Sequence, residues 1–179
     1  RLCDFGIVWS EVGKAILRRY GWPDESVLIA SNPAIPDART CAERRARARV
    51  ALGLGCDDLC VLFLGQLAND QGVEVAGYLE TVRLVARGLE RAGAAQAIVP
   101  LFRPHYADAQ GETLAALAAH SIPRLAISSG QSLLDDLRAA DVVVSMHSVA
   151  MEEAHLAGRP IVQVVAGGFA PVVDFSVIG

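Results

Sequence analysis

Short apolar runs alternate with longer amphipathic stretches along almost the whole chain. The run at 5–9 (Phe-Gly-Ile-Val-Trp) predicts a buried strand. Ser10 stands where a helix cap belongs, residues 11–20 carry a helical pattern, and Gly21 and Pro23 end it. A second strand is expected at 27–30. The segment Ser31-Asn32-Pro33-Ala34-Ile35-Pro36-Asp37 follows, and its prolines make a stiff connector and a candidate domain boundary. Helices are predicted over 42–52, 73–92, 112–119, from Ser132 to about 140, and over 149–157. Between them lie apolar runs at 61–64, 125–127, 142–144 and 161–165, and one that opens at Ala97-Ile98-Val99. Within 73–92, Val75, Leu79, Val82, Ala86 and Leu89 form one apolar stripe at helical spacing.

This alternation predicts an α/β fold, a Rossmann-like parallel sheet with helices on both faces and right-handed crossovers. The near-continuous apolar runs suit strands buried on both faces. In such sheets ligands sit beyond the carboxyl ends of the strands, which selects the loops at 65–72, 103–108 and 145–148. Both ends of the 179-residue chain fall inside or close to apolar runs, so the chain reads as a piece of a longer protein. Residues 1–36 are expected to be the tail of an N-terminal α/β domain plus connector, and 37–179 a second domain cut short at its C-terminal end.

Composition narrows the function classes. The net charge of −4 argues against nucleic acid as a partner. No apolar run is long enough to span a bilayer, and the first residues lack signal-peptide features, so a cytoplasmic protein is expected. Cys3, Cys41, Cys56 and Cys60 show no metal-ligand spacing and are read as reduced thiols. No metal or cofactor is expected, and neither a GxGxxG nor a P-loop is present. The helix at 42–52 carries Arg44, Arg45, Arg47 and Arg49, read as a solvated face rather than a phosphate or RNA patch.

The candidate chemistry lies late in the chain. The strand at 142–144 delivers His147 and Ser148 to the start of a helix, where unsatisfied N–H groups, Val149 among them, and the helix dipole favour an anion. Glu153, further along that helix, is placed to accept hydrogen bonds from sugar hydroxyls. The plainer alternative is that Ser148 only caps the helix and that Glu152 and Glu153 are solvated. Arg103-Pro104-His105 follows a strand: Arg103 suits phosphate, His105 suits phosphate binding or proton transfer, and an ordinary surface loop is the alternative. Gly65 and Gln66 also follow a strand, where a glycine lets backbone approach a ligand or simply makes a turn. Ser128-Ser129-Gly130 reads as a helix lead-in.

Ser148 to Pro160, with Glu153-Ala154 and Gly158-Arg159-Pro160, resembles the nucleotide-binding signature of two-domain GT-B glycosyltransferases. Asp141 and the stretch from Ser132 to Asp136 fit the same pattern. Ser31-Asn32-Pro33 resembles the Gly-Asn-Pro of their domain crossing, and Val8-Trp9-Ser10-Glu11 with Tyr20-Gly21 the end of their first domain. Arg103-Pro104-His105 resembles the Arg-Pro-His-Pro loop of CDP-glycerol glycerophosphotransferase-like and capsule-type enzymes, with Tyr106 in place of the last proline.

The resemblance implies the C-terminal, nucleotide-sugar-binding domain of a bacterial transferase in cell-envelope polysaccharide synthesis. Its partner would be a nucleotide-sugar or CDP-polyol donor, with an unidentified acceptor. Ser148, Val149 and the helix start would hold the donor pyrophosphate, Glu153 the ribose, and Gly65, Gln66 and Arg103 would line the site. His105 and His147 would lie near the phosphates as the catalytic candidates. A whole enzyme of this kind has two domains of about 150–200 residues each, so this chain would lack most of the acceptor-side domain. The full-length enzyme would associate peripherally with a membrane, and the chain alone would bind donor without turnover. Two alternatives stay open: a UDP-N-acetylglucosamine 2-epimerase relative, disfavoured by Ser148-Val149-Ala150 where that family has Ser-Gly-Gly, and a non-catalytic ligand-binding module.

Overall fold

The computed structural model describes residues 5–30, 32, 33, 35, 42–66, 75–95, 98–106, 111–129, 132–146 and 148–165. Its strands are β1 (Gly6–Val8), β2 (Val27–Ile29), β3 (Leu59–Leu64), β4 (Ile98–Arg103), β5 (Ala126–Ile127), β6 (Val142–Ser145) and β7 (Ile161–Gln163). Its helices are α1 (Glu11–Arg19), α2 (Ala42–Ala51), α3 (Val75–Ala95), α4 (Glu112–Ala118), α5 (Leu133–Ala139) and α6 (Val149–Leu156). The expected strand–helix alternation is present throughout.

The main sheet has five parallel strands in the order β5-β4-β3-β6-β7. Strand β3 is its middle strand, and its side chains alternate between two cores. Val61 and Phe63 pack with Tyr78, Val82, Ala86 and Leu89 of α3, and with Leu117 of α4. Cys60, Leu62 and Leu64 pack on the other face with Ala48 of α2, Leu137 of α5 and Ala154 of α6. The expected parallel sheet with helices on both faces is therefore present. The buried stripe of α3 is turned slightly from the expected one: Tyr78 and Val85 are buried, and Val75 and Leu79 only partly.

Strand β4 runs through Pro100 into Arg103. A proline inside a sheet normally removes a ladder hydrogen bond. Here Phe102 offers its carbonyl to Ser128 N–H on the β5 side, so Pro100, two residues earlier, faces the same way. Strand β5 pairs only with Leu101 and Phe102, so no partner requires the missing N–H.

Strands β1 and β2 pair in parallel as a separate two-stranded sheet, joined through α1. Ile7, Leu28 and Ile29 on this pair are exposed, in contrast to the buried strands of the main sheet. No helix among the described residues is long and apolar enough to cross a membrane.

The expectation for α2 needs correcting in part. Arg45 and Arg49 are not solvated: Arg45 donates to the carbonyls of Arg138 and Ala140 and to Asp141, and Arg49 is 7% exposed. Arg49 donates to Asp141 and to the carbonyls of Ala139, Gly55 and Asp58. These bonds tie α2 to the amino-terminal edge of the sheet. Arg44 and Arg47 are exposed, as expected.

Candidate functional site

From β3 the chain moves outward through β4 and β5, then returns to β6 on the other side of β3. The loops after β3 and β6 therefore diverge, which is where a parallel sheet opens a crevice at its carboxyl edge. A cleft of about 300 Å³ occupies this place. It is lined by Leu64 and Gly65 after β3, the 103–106 stretch at the end of β4, Leu133 of α5, and Ser148, Val149, Ala150 and Glu153 at the start of α6. A wider groove of about 520 Å³ runs between α2 and α5, lined by Arg44, Arg47, Ser132, Asp135 and Arg138. That groove takes its lining from α2 and from α5 with its cap, and none from the strand ends or α6, so the smaller cleft is the candidate site.

Six of the eight candidate residues, Gly65, Arg103, His105, Ser148, Val149 and Glu153, line this cleft. Gln66 does not. It is 6% exposed, and its backbone N–H donates to the Tyr78 hydroxyl at 3.3 Å. His147 lies outside the described residues, as do Cys3, Cys41, Ser31, and the ends of the first two candidate loops.

Ser148 is the N-cap of α6, with extended backbone (φ −156°, ψ 139°) and an Oγ that accepts from Ala150 N–H at 3.2 Å. Met151 N–H bonds to the Ser148 carbonyl at 2.9 Å. Val149 N–H has no hydrogen bond among the described residues, and its residue is exposed to the cleft. The helix start thus keeps a donor for an anion, backed by the dipole. Gly158, just beyond the helix, has φ +69° and ends it.

Gly65 serves a different need from the one expected. A Cβ there would meet Arg103 O, His105 N and the Phe102 ring, all at 3.1 Å. The missing side chain lets the β3 and β4 ends close together, joined by Gly65 N–H to Arg103 O at 2.9 Å. His105 is half-buried and stacks on the exposed Tyr106 ring, with centroids 4.3 Å apart.

Arg103 reaches the cleft while held from behind. Its Nη1 donates to Asp136 Oδ2 at 2.5 Å, and Ser128 Oγ donates to the same oxygen at 2.6 Å. Asp136 is fully buried, and its Oδ1 has no partner among the described residues. Ser128 is thus part of a buried network, where the sequence suggests only a helix lead-in. Neither Ser128 nor Asp136 carries a local signal of this, because their partner lies on another strand.

The two glutamates of α6 part company. Glu152 is buried and accepts a short hydrogen bond from Ser10 Oγ, the cap of α1, instead of being solvated. Gly13, at whose Cβ position Glu152 Oε1 lies 3.0 Å away, leaves room for this approach. Glu153 lines the cleft, and its carboxylate has no hydrogen bond among the described residues. Burial pushes its pKa up, Glu152 adds to the rise, and Arg103 opposes it.

The arrangement offers cationic and N–H groups for an anion at Arg103, His105 and Val149, and an unpartnered carboxylate for hydroxyl groups at Glu153. No cluster of metal-ligating side chains occurs among the described residues. Cys56 and Cys60 are free thiols, and burial pushes Cys60 up to about 12.

The chain matches no known family profile and no curated protein. It is similar in fold to solved structures. The wall teichoic acid polymerase TagF is 18% identical with a TM-score of 0.56, over 88% of this chain and 38% of that one. Alr3699/HepE from Anabaena, in complex with UDP and glucose, is 16% identical with a TM-score of 0.54, over 93% and 46%. The UDP-GlcNAc 2-epimerase from Neisseria meningitidis, bound to UDP-GlcNAc, is 14% identical with a TM-score of 0.61, over 90% and 44%. This chain spans less than half the length of each of these three proteins. The fold is therefore the GT-B type expected from the sequence.

Proposed function

We propose that this chain is the donor-binding part of a transferase that uses a nucleotide-diphosphate donor for glycosyl or glycerol-phosphate transfer. The observation that carries this reading is the single cleft at the carboxyl edge of the sheet, which gathers Gly65, Arg103, His105, Ser148, Val149 and Glu153 from three separate loops. Arg103 and the start of α6 would hold the diphosphate, and Glu153 would accept from ribose or sugar hydroxyls. His105, beside the phosphates, is the candidate to bind them or to move a proton; His147 stays a candidate by sequence. Catalysis would come from stabilising the charge that develops on the departing nucleotide diphosphate, with preorganised donors in a partly dry cleft. No metal enters this scheme. Residues 37–179 would form this domain, and the acceptor side would come from a second one.

Two of the similar structures, one in complex with UDP and glucose and one bound to UDP-GlcNAc, support a nucleotide-sugar ligand. The epimerase likeness keeps an isomerase reading in play. Incubating the full-length protein with UDP-N-acetylglucosamine and watching for its epimer separates the two activities. For the shared donor site, titration calorimetry with UDP and CDP should give measurable binding. Glu153→Ala should weaken it about tenfold, the loss of one or two hydrogen bonds to a charged acceptor. Unchanged affinity removes Glu153 from the site.

A further inference from the structure

We infer that Asp136, assisted by Ser128, is a positioning residue for the cleft: it fixes the Arg103 guanidinium against the wall that faces Glu153. The inference rests on the donor-site reading above.

A fully buried carboxylate costs stability unless it is paired, and an apolar residue of similar size would often serve a core as well or better. Asp136 therefore calls for a reason beyond packing. Its Oδ2 takes both Arg103 Nη1 at 2.5 Å and Ser128 Oγ at 2.6 Å. Those two donors sit 3.5 Å apart. Three places in the fold converge on that oxygen: the last residue of β4, the residue after β5, and the middle of α5. The Ser128 hydroxyl orients the carboxylate, and the carboxylate orients the arginine.

An unrestrained arginine carries about 2 kcal/mol of rotamer entropy that ligand binding must overcome. Arg103, pinned from behind, has lost much of that freedom before a ligand arrives, which is how a supporting residue raises affinity without touching the ligand. Its charge already acts on Glu153 across the cleft.

The test uses UDP and CDP as probes in a double-mutant cycle on this chain. Asp136→Asn should weaken binding about 10- to 100-fold, since a charge-assisted bond is lost. In an Arg103→Ala background the same change should alter affinity less than about twofold, because its effect runs through Arg103. An equal loss in both backgrounds means a merely structural role and overturns the proposal. A second arm needs no ligand. Nitrogen-15 NMR of the Arg103 guanidinium should show restricted rotation in the parent and averaging in D136N at unchanged circular dichroism. Arg103 signals unchanged by D136N overturn it. Should D136N fail to fold, Ser128→Ala removes only the second donor and should cost about two- to fivefold in affinity with partly averaged Arg103 signals. A folded S128A with parental signals overturns the proposal too. If neither UDP nor CDP binds the parent chain, the donor-site reading fails, while the NMR arm still decides whether Asp136 fixes Arg103.

Discussion

Two arginine–aspartate clusters brace the five-stranded sheet, one at each end of its strands. At the amino edge, Asp141 takes Arg45 at 2.6 Å on one oxygen, and on the other Arg49 at 3.1 Å and Cys60 N–H at 2.8 Å. The remaining guanidinium contacts of Arg45 and Arg49 go to backbone carbonyls. At the carboxyl edge, Asp136 takes Arg103 and Ser128 on one oxygen and nothing among the described residues on the other. The first cluster bonds mainly to backbone and to Asp141 while Arg45 and Asp141 stay partly exposed, and the second borders the candidate cleft. The same pair of side chains is scaffold in one place and candidate site in the other. What separates them is their place: one ties α2 to the amino edge of the sheet, and the other stands beside the cleft at the carboxyl edge.

The contrast breaks if removing the amino-edge cluster leaves stability untouched. Asp141→Ala strands Arg49 in the interior without its carboxylate and should cost about 3 kcal/mol, measured by urea unfolding, with UDP affinity unchanged in the folded fraction. A loss well under about 1 kcal/mol would make this cluster no more structural than a surface pair. A smaller effect sharpens the cleft side. Ser148→Ala should lower stability by about 1 kcal/mol through the lost cap, and it should weaken UDP binding as well, because Ser148 lines the cleft. A stability loss without an affinity loss would make Ser148 a cap and nothing more.

The smallest expected effect is one of pH. Glu153 has a folded pKa above its ordinary value of 4.5, so its ionised form is penalised in the folded state. Stability owed to its protonated form is complete below the unfolded pKa and is lost as pH rises through the folded one. Glu153→Gln should therefore stabilise the protein at neutral pH, by less than about 1 kcal/mol since the side chain is half-exposed. The gain over the parent should fade as pH drops toward 4.5. Thermal melts of parent and variant across that window measure it, and parallel curves would show that Glu153 does not titrate abnormally.

The fold was readable because its evidence is local. Runs such as 61–64 and 142–144, capped starts at Ser10, Ser132 and Ser148, and glycine stops are short-range signals, and the structure follows them to within a few residues. Strand β3 gains Leu59 and Cys60, because pairing with β4 extends a strand past its apolar run. The cleft was partly readable, since the ligand-edge rule points to loops whose residues do come together. The supporting shell was not. Arg45, Arg49, Ser128 and Glu152 all look like ordinary polar surface residues, and Asp136 stands out only as the end of the Ser132–Asp136 stretch, with nothing to mark its partner. Their partners lie many positions away, and periodicity carries no information about such pairs. Gln66 shows the converse: its place after a strand suggested exposure to ligand, but the Tyr78 hydroxyl beneath it claims its N–H.

One turn of α6 answers to two neighbours at once. Successive helical residues point about 100° apart, so Glu153 meets the cleft while Glu152 meets Ser10. The same turn of helix thus joins the cap of α1 to the rim of the cleft through two adjacent side chains.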